Sequence, residues 1–151
     1  MPMLDLYLPE SRLTPEQANA LARSLLGTIQ EAEGVAGSAF ADRVTWAYIH
    51  WVWADNLVSR VPGAAPYPLF RLEIQTLAGL LDRDAKEGLG LSLSRLVLTA
   101  AGIPVSNETL PTVWILFRDY APGDWMAGPQ AGTAAGIRQA VAAERRVYGL
   151  T

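Results

Sequence analysis

Residues 1–12 read MPMLDLYLPESR, and this stretch decides how the rest of the chain is read. Leu4, Leu6 and Leu8 alternate with Asp5 and Tyr7, the period of two that places every second side chain on one face of a strand. The strand opens on Pro2, which has no N–H for a ladder and is tolerated at a first position. Two accounts fit that proline. It is a harmless strand starter beneath a retained Met1, or Met1 is removed and Pro2 carries a free secondary amine.

Working outward, the sequence lies on itself without a gap when shifted by 68 positions. Leu4 falls on Leu72, Leu6 on Ile74, Leu25 on Leu93 and Ile29 on Val97. Any two amphipathic helices could supply such apolar matches. Gly34 on Gly102 and Trp46 on Trp114, at the same offset, point instead to an internal duplication.

Each copy reads β-α-β. In the first, a strand over 3–8 leads to a helix from about 15 to 32, with Thr14 as N-cap, Pro15 in the first turn and Gln17 closing a capping box. Ala18, Leu21, Ala22, Leu25, Ile29 and Ala32 form its apolar stripe, and Gly34 stops it. A second strand follows over 44–53. The second copy runs from a strand over 69–76 to a helix over about 83–101, capped by Asp82, and closes with a strand over 112–119. Gly88 and Gly90 inside that helix suggest a close contact. Residues 54–68 form a Pro/Gly loop, and the tail after Gly132 ends in a helix marked by Ile137, Val141 and Tyr148.

The expected architecture is α/β: duplicated β-α-β units forming a four-stranded sheet with two helices on one face, plus a C-terminal helical tail. It is expected as a single domain, with repeat one at about 2–57, repeat two at about 69–125 and the tail at 126–151. Partner subunits are expected to cover the other sheet face.

Composition narrows the function. At 151 residues, 50% hydrophobic and 18% charged, the chain suits one globular domain with a sizeable core. A net charge of −3 gives no basic footprint for nucleic acid. No apolar run approaches the ~20 residues of a membrane span, and Asp5, Pro9 and Glu10 break a signal-peptide pattern. With no cysteine and one histidine, His50, neither thiolate chemistry nor a Cys- or His-rich metal site is expected. Five tryptophans hint at surface buried in an oligomer. A soluble, cytoplasmic protein is expected.

Met-Pro heading a β-α-β repeat, LPESRLTPEQ (8–17) after the first strand and YAPGDWMAGP (120–129) after the last resemble the tautomerase superfamily. The chain is most similar to its long, duplicated members related to 4-oxalocrotonate tautomerase and cis-3-chloroacrylic acid dehalogenase, over about residues 2–130. The resemblance implies the tautomerase/MIF-like fold, a homotrimer, no cofactor and an N-terminal proline that carries the chemistry. Arg12 matches a carboxylate-binding arginine of the family, but in the first copy; Leu77 and Leu80 stand at the corresponding places in the second. Trp46 and Trp114 replace a further arginine. Ala127 stands near the dehalogenases' water-activating glutamate, and Trp125 matches an aromatic wall of the site.

Pro2 is therefore the expected catalytic base, one per chain, since Phe70 holds the equivalent place in the second copy. Apolar walls and a nearby arginine would lower its pKa toward neutrality, where a base works best. Arg71 and Arg118, on second-copy strands, and Arg12 are candidates to bind a substrate carboxylate or enolate; the competing role is a snorkelling or ion-paired strand residue for the first two and a helix-entry or interface residue for Arg12. The expected reaction is proton transfer within a small keto or enol acid. The alternatives are hydration, dehalogenation or decarboxylation by a protonated Pro2, or a catalytically dead oligomeric binding or scaffold protein.

Overall fold

The computed structural model describes residues 2–58, 60 and 69–148. Strand β1 (Met3–Pro9) and helix α1 (Pro15–Glu33) follow the expected pattern almost residue for residue. The Thr14 hydroxyl accepts from the Gln17 N–H while the Gln17 side chain accepts from the Thr14 N–H, so the capping box is complete. Gly34 ends α1 in the left-handed region at φ 72°, a conformation that costs glycine little.

A short helix, α2 (Ala39–Arg43), precedes β2 (Trp46–Val52), which starts two residues later than expected. The second copy supplies β3 (Phe70–Leu77), α3 (Arg83–Ala100) and β4 (Val113–Tyr120). After β4 come two-residue strands β5 (Met126–Ala127) and β6 (Gln130–Ala131), then helix α4 (Ala134–Val147). Most of the inter-copy loop, 61–68, lies outside the described residues.

The sheet order is β2-β1-β3-β4. β1 pairs parallel with β2, β3 pairs parallel with β4, and the copies join through antiparallel β1 and β3. The duplication thus becomes two β-α-β units back to back, and each strand end in one copy has a counterpart at the opposite end of the sheet.

Both long helices lie on one face. Leu4, Leu6, Leu8, Leu72 and Ile74 are fully buried beneath Leu25, Ile29, Leu93 and Val97. At roughly 1.5–3 kcal/mol for each side chain removed from water, this layer is the main source of stability. Three expectations are corrected. Ala32 is exposed, while its neighbours Gln30 and Glu33 turn inward. A methyl group placed on Gly88 or Gly90 would meet no atom within 4 Å, so crowding does not require either glycine. Tyr148 lies just past the end of α4 and is exposed, so only Ile137 and Val141 of the expected tail stripe are buried.

The opposite face carries Trp46 at 64% exposure, Tyr48 at 57%, Trp114 at 47% and Leu116 at 43%, with no helix across them. Trp46 and Tyr48 lie on the first-copy edge strand β2, and Trp114 and Leu116 on the second-copy edge strand β4.

Candidate active site

Pro2 is buried at the head of β1, where its carbonyl accepts the Trp46 N–H at 3.4 Å. The register Met3↔Gln75 brings the end of β3 alongside, so Thr76 is the next residue level with Pro2. Thr76 is fully buried and donates its hydroxyl to Glu33 Oε1 at 2.5 Å. Glu33 is the last residue of α1 and is itself buried, so the first helix delivers a carboxyl to this end of the sheet.

Beyond Thr76 a second apolar cluster forms from Val35, Ala41, Leu77, Leu80 and, on α4, Ile137 and Val141. Phe40, Tyr120 and Trp125 pack at its rim. Trp125 meets Tyr120 edge to face with centroids 5.5 Å apart. The arrangement explains Leu77 and Leu80 physically. They form the seat of α4, and an arginine in either place would put a charge into a buried apolar contact.

Polar contacts fasten α4 over this end. Arg138 donates to the Gly79 carbonyl at 2.6 Å, and Arg145 to the Gly34 and Ala36 carbonyls at 3.4 and 3.3 Å. Glu144 Oε2 accepts from the Ser38 hydroxyl and from the Phe40 N–H. The Ser38 bond, then the Phe40 N–H, hold the Glu144 carboxyl below its ordinary value.

On the open face a hydrogen-bonded chain crosses all four strands of the sheet. Tyr120 donates to Gln75 Oε1 at 2.8 Å, Gln75 donates to Asp5 Oδ2 at 2.8 Å, and Asp5 Oδ1 meets His50 Nε2 at 2.6 Å. His50 stacks on Tyr7 with centroids 4.4 Å apart. Asp5, Gln75 and Tyr120 were not singled out in the sequence, although their strand parity puts them on one face with His50. Arg118, level with Gln75, is exposed at the Pro2 end. Interaction with Tyr120 raises its pKa.

The four expected binding residues therefore divide. Arg118 and Trp125 gather at the Pro2 end. Arg71 is level with Tyr7, five residues along β1 from Pro2, or about 17 Å at the rise of a strand. Arg12 follows β1 at that same far end, and within one chain neither reaches Pro2. Arg71 is ion-paired with Glu73 and lies 5.0 Å from the Tyr7 ring centre. Asp119 pairs with Lys86 rather than with Arg118. Among the described residues, no group of three or more acidic or histidine side chains is placed to hold a metal.

No family model matches the sequence, and no curated protein matches it. Solved structures do match. A fused 4-OT, described as a wild-type asymmetric trimer, superposes with a TM-score of 0.69 at 21% identity, over 89% of this chain and 98% of that one. The fold is that of the fused tautomerases. Pt0534 inactivated by 2-oxo-3-pentynoate gives a TM-score of 0.67 at 13% identity, covering 89% and 98% of the two chains. Macrophage migration inhibitory factor from Toxoplasma gondii gives 0.63 at 15% identity, covering 86% and 99%. The tautomerase fold thus accounts for both copies and their antiparallel junction.

Proposed function

We propose that this chain is a member of the tautomerase superfamily and a cofactor-independent keto–enol isomerase, with Pro2 as general base once Met1 has been removed. The observation that carries the reading is Pro2, buried at the head of a central strand of a duplicated tautomerase fold beside an apolar wall. Such surroundings disfavour a protonated amine and bring its pKa toward the range where a base is effective. Pro2 takes a proton from the carbon next to the substrate carbonyl and returns it at another atom. Arg118, a permanent cation like any arginine, is the arginine of the same chain best placed to meet the developing enolate. Trp125 closes the site against water.

Leu77, Leu80 and the α4 seat suit an apolar substrate end, at roughly 25 cal/mol per Å² of surface buried. A second carboxylate there would lack a paired cation, which costs several kcal/mol. The substrate class is a monoacid or ketone with an apolar tail. The uncovered aromatic sheet face and the trimeric fused 4-OT support a homotrimer. No described helix is long and apolar enough to cross a membrane, in keeping with a cytoplasmic enzyme.

The test is ketonisation of phenylenolpyruvate compared with a 2-hydroxymuconate-like diacid. The reading expects the higher kcat/KM for phenylenolpyruvate, and a loss of about a hundredfold or more in Pro2→Ala, within the range of acid–base contributions. An unchanged rate in Pro2→Ala sinks the role of the amine. A preference for the diacid sinks the assignment of the apolar wall.

A second reading, a binding protein that keeps only the fold, draws on one observation. Arg12 and Arg71 lie at the end of the sheet that has no N-terminal proline.

A further inference from the structure

The duplication gives the sheet two equivalent ends, and they are furnished differently. At the end away from Pro2, Phe70 takes the proline's place and is 1% exposed. An internal phenylalanine has no amine to titrate, so this end lacks the N-terminal proline base. It does have a cavity of about 350 Å³, within the range of small-molecule clefts. Tyr7, Arg12, Val52, Trp53, Leu57 and Arg71 line it.

The chemistry of that lining is specific. Among the described residues the Arg12 side chain has no hydrogen-bond or ion-pair partner, so its guanidinium is available as a bidentate fork for a carboxylate. Arg71 is ion-paired with Glu73 and held over Tyr7, which fixes its position and leaves Arg12 as the main anchor. Trp53, 58% exposed, together with Val52 and Leu57, offers flat and apolar surface for the rest of a ligand, while the Tyr7 ring is already sandwiched between His50 and Arg71. Glu10 also lines the cavity, and its carboxylate opposes a second negative charge on the guest.

We infer that this cavity is a second, non-catalytic binding site for a small aromatic monocarboxylate, held by its carboxylate on Arg12 and by its ring on Trp53, with Tyr7 in the wall beside it. The site does not depend on the activity of Pro2. It separates recognition of an acid from proton transfer at the two ends of one duplicated sheet.

The experiment is a titration of the full chain with trans-cinnamate, followed by NMR at the Trp53 indole and the Tyr7 amide. Saturable shifts at both are expected with a Kd of millimolar or better. They should persist in Pro2→Ala, while Arg12→Ala weakens them about tenfold to a hundredfold, the range for a lost charged hydrogen bond. Arg12 is exposed, so its replacement leaves the fold standing. Shifts that are absent at several millimolar cinnamate, or equally strong in Arg12→Ala, overturn the proposal. Shifts confined to Trp125 and Thr76 do the same, by placing the acid at the Pro2 end only.

Discussion

Ile137→Ala in α4 tests how the wall of the Pro2 site is held. Ile137 is 6% exposed and sits in the small cluster with Val35, Leu77, Leu80 and Val141. The substitution removes three carbons, about 2.4 kcal/mol at about 0.8 kcal/mol each, and the cavity left behind brings such changes into a range of about 2–5 kcal/mol. This cluster is separate from the one under α1 and α3, so the loss falls on docking of α4 rather than on the whole sheet. At about 3 kcal/mol, the open form of α4 becomes roughly a hundredfold more populated. Hydrogen exchange read by mass spectrometry is the assay. Amides of 137–147 and of 38–43 should exchange about a hundredfold faster, with those of α1 and α3 unchanged. Exchange at wild-type rates in α4 would show that Ile137 does not seat it, and equal acceleration throughout would show that the two clusters unfold as one.

The Glu144 clamp should respond to pH in one direction. Its carboxyl is held below the ordinary value by Ser38 and the Phe40 N–H, so the stabilisation is complete above that ordinary value and is lost as pH falls through the lowered one. Exchange in α4 should therefore accelerate in acid, and Glu144→Gln should loosen α4 at neutral pH and abolish the acid dependence. If the variant keeps that dependence, another group is responsible. The exposed sheet face makes a separate prediction. Tyr48→Glu places a charge within the proposed subunit contact, and sedimentation velocity should show the trimer replaced by smaller species. An undisturbed trimer removes that face from the interface.

Local signals in the sequence translated well because they report local physics. The Thr14–Gln17 box and Gly34 fix the ends of α1 through hydrogen bonds and a positive φ, both confined to a few residues. The common offset of Gly34 and Gly102, and of Trp46 and Trp114, carried the two β-α-β units. What the offset does not state is which strands are adjacent. Only the antiparallel register of β1 against β3 puts Arg12 and Arg71 at one end and Pro2, Arg118 and Trp125 at the other. The substitution of leucine at positions 77 and 80 reads, in sequence, as a loss of cations. In the fold it is a gain of packing for α4, a contact between residues about 60 apart that no periodicity announces. Helix α2 and the β5–β6 pair are too short to carry a periodic signal. The Asp5–His50–Gln75–Tyr120 chain depends on cross-strand neighbours drawn from both copies.

The central claim is that the amine of Pro2 is free and reactive, and intact mass of the natively produced protein, taken before and after incubation with 2-oxo-3-pentynoate, tests it most directly. The inactivation of Pt0534 by that compound makes it a suitable probe for this fold. The account predicts a starting mass lacking Met1, then a single adduct per chain located on the N-terminal peptide and absent in Pro2→Ala. A retained Met1 with no adduct would contradict it, because a proline buried inside the chain has no amine with which to move a proton.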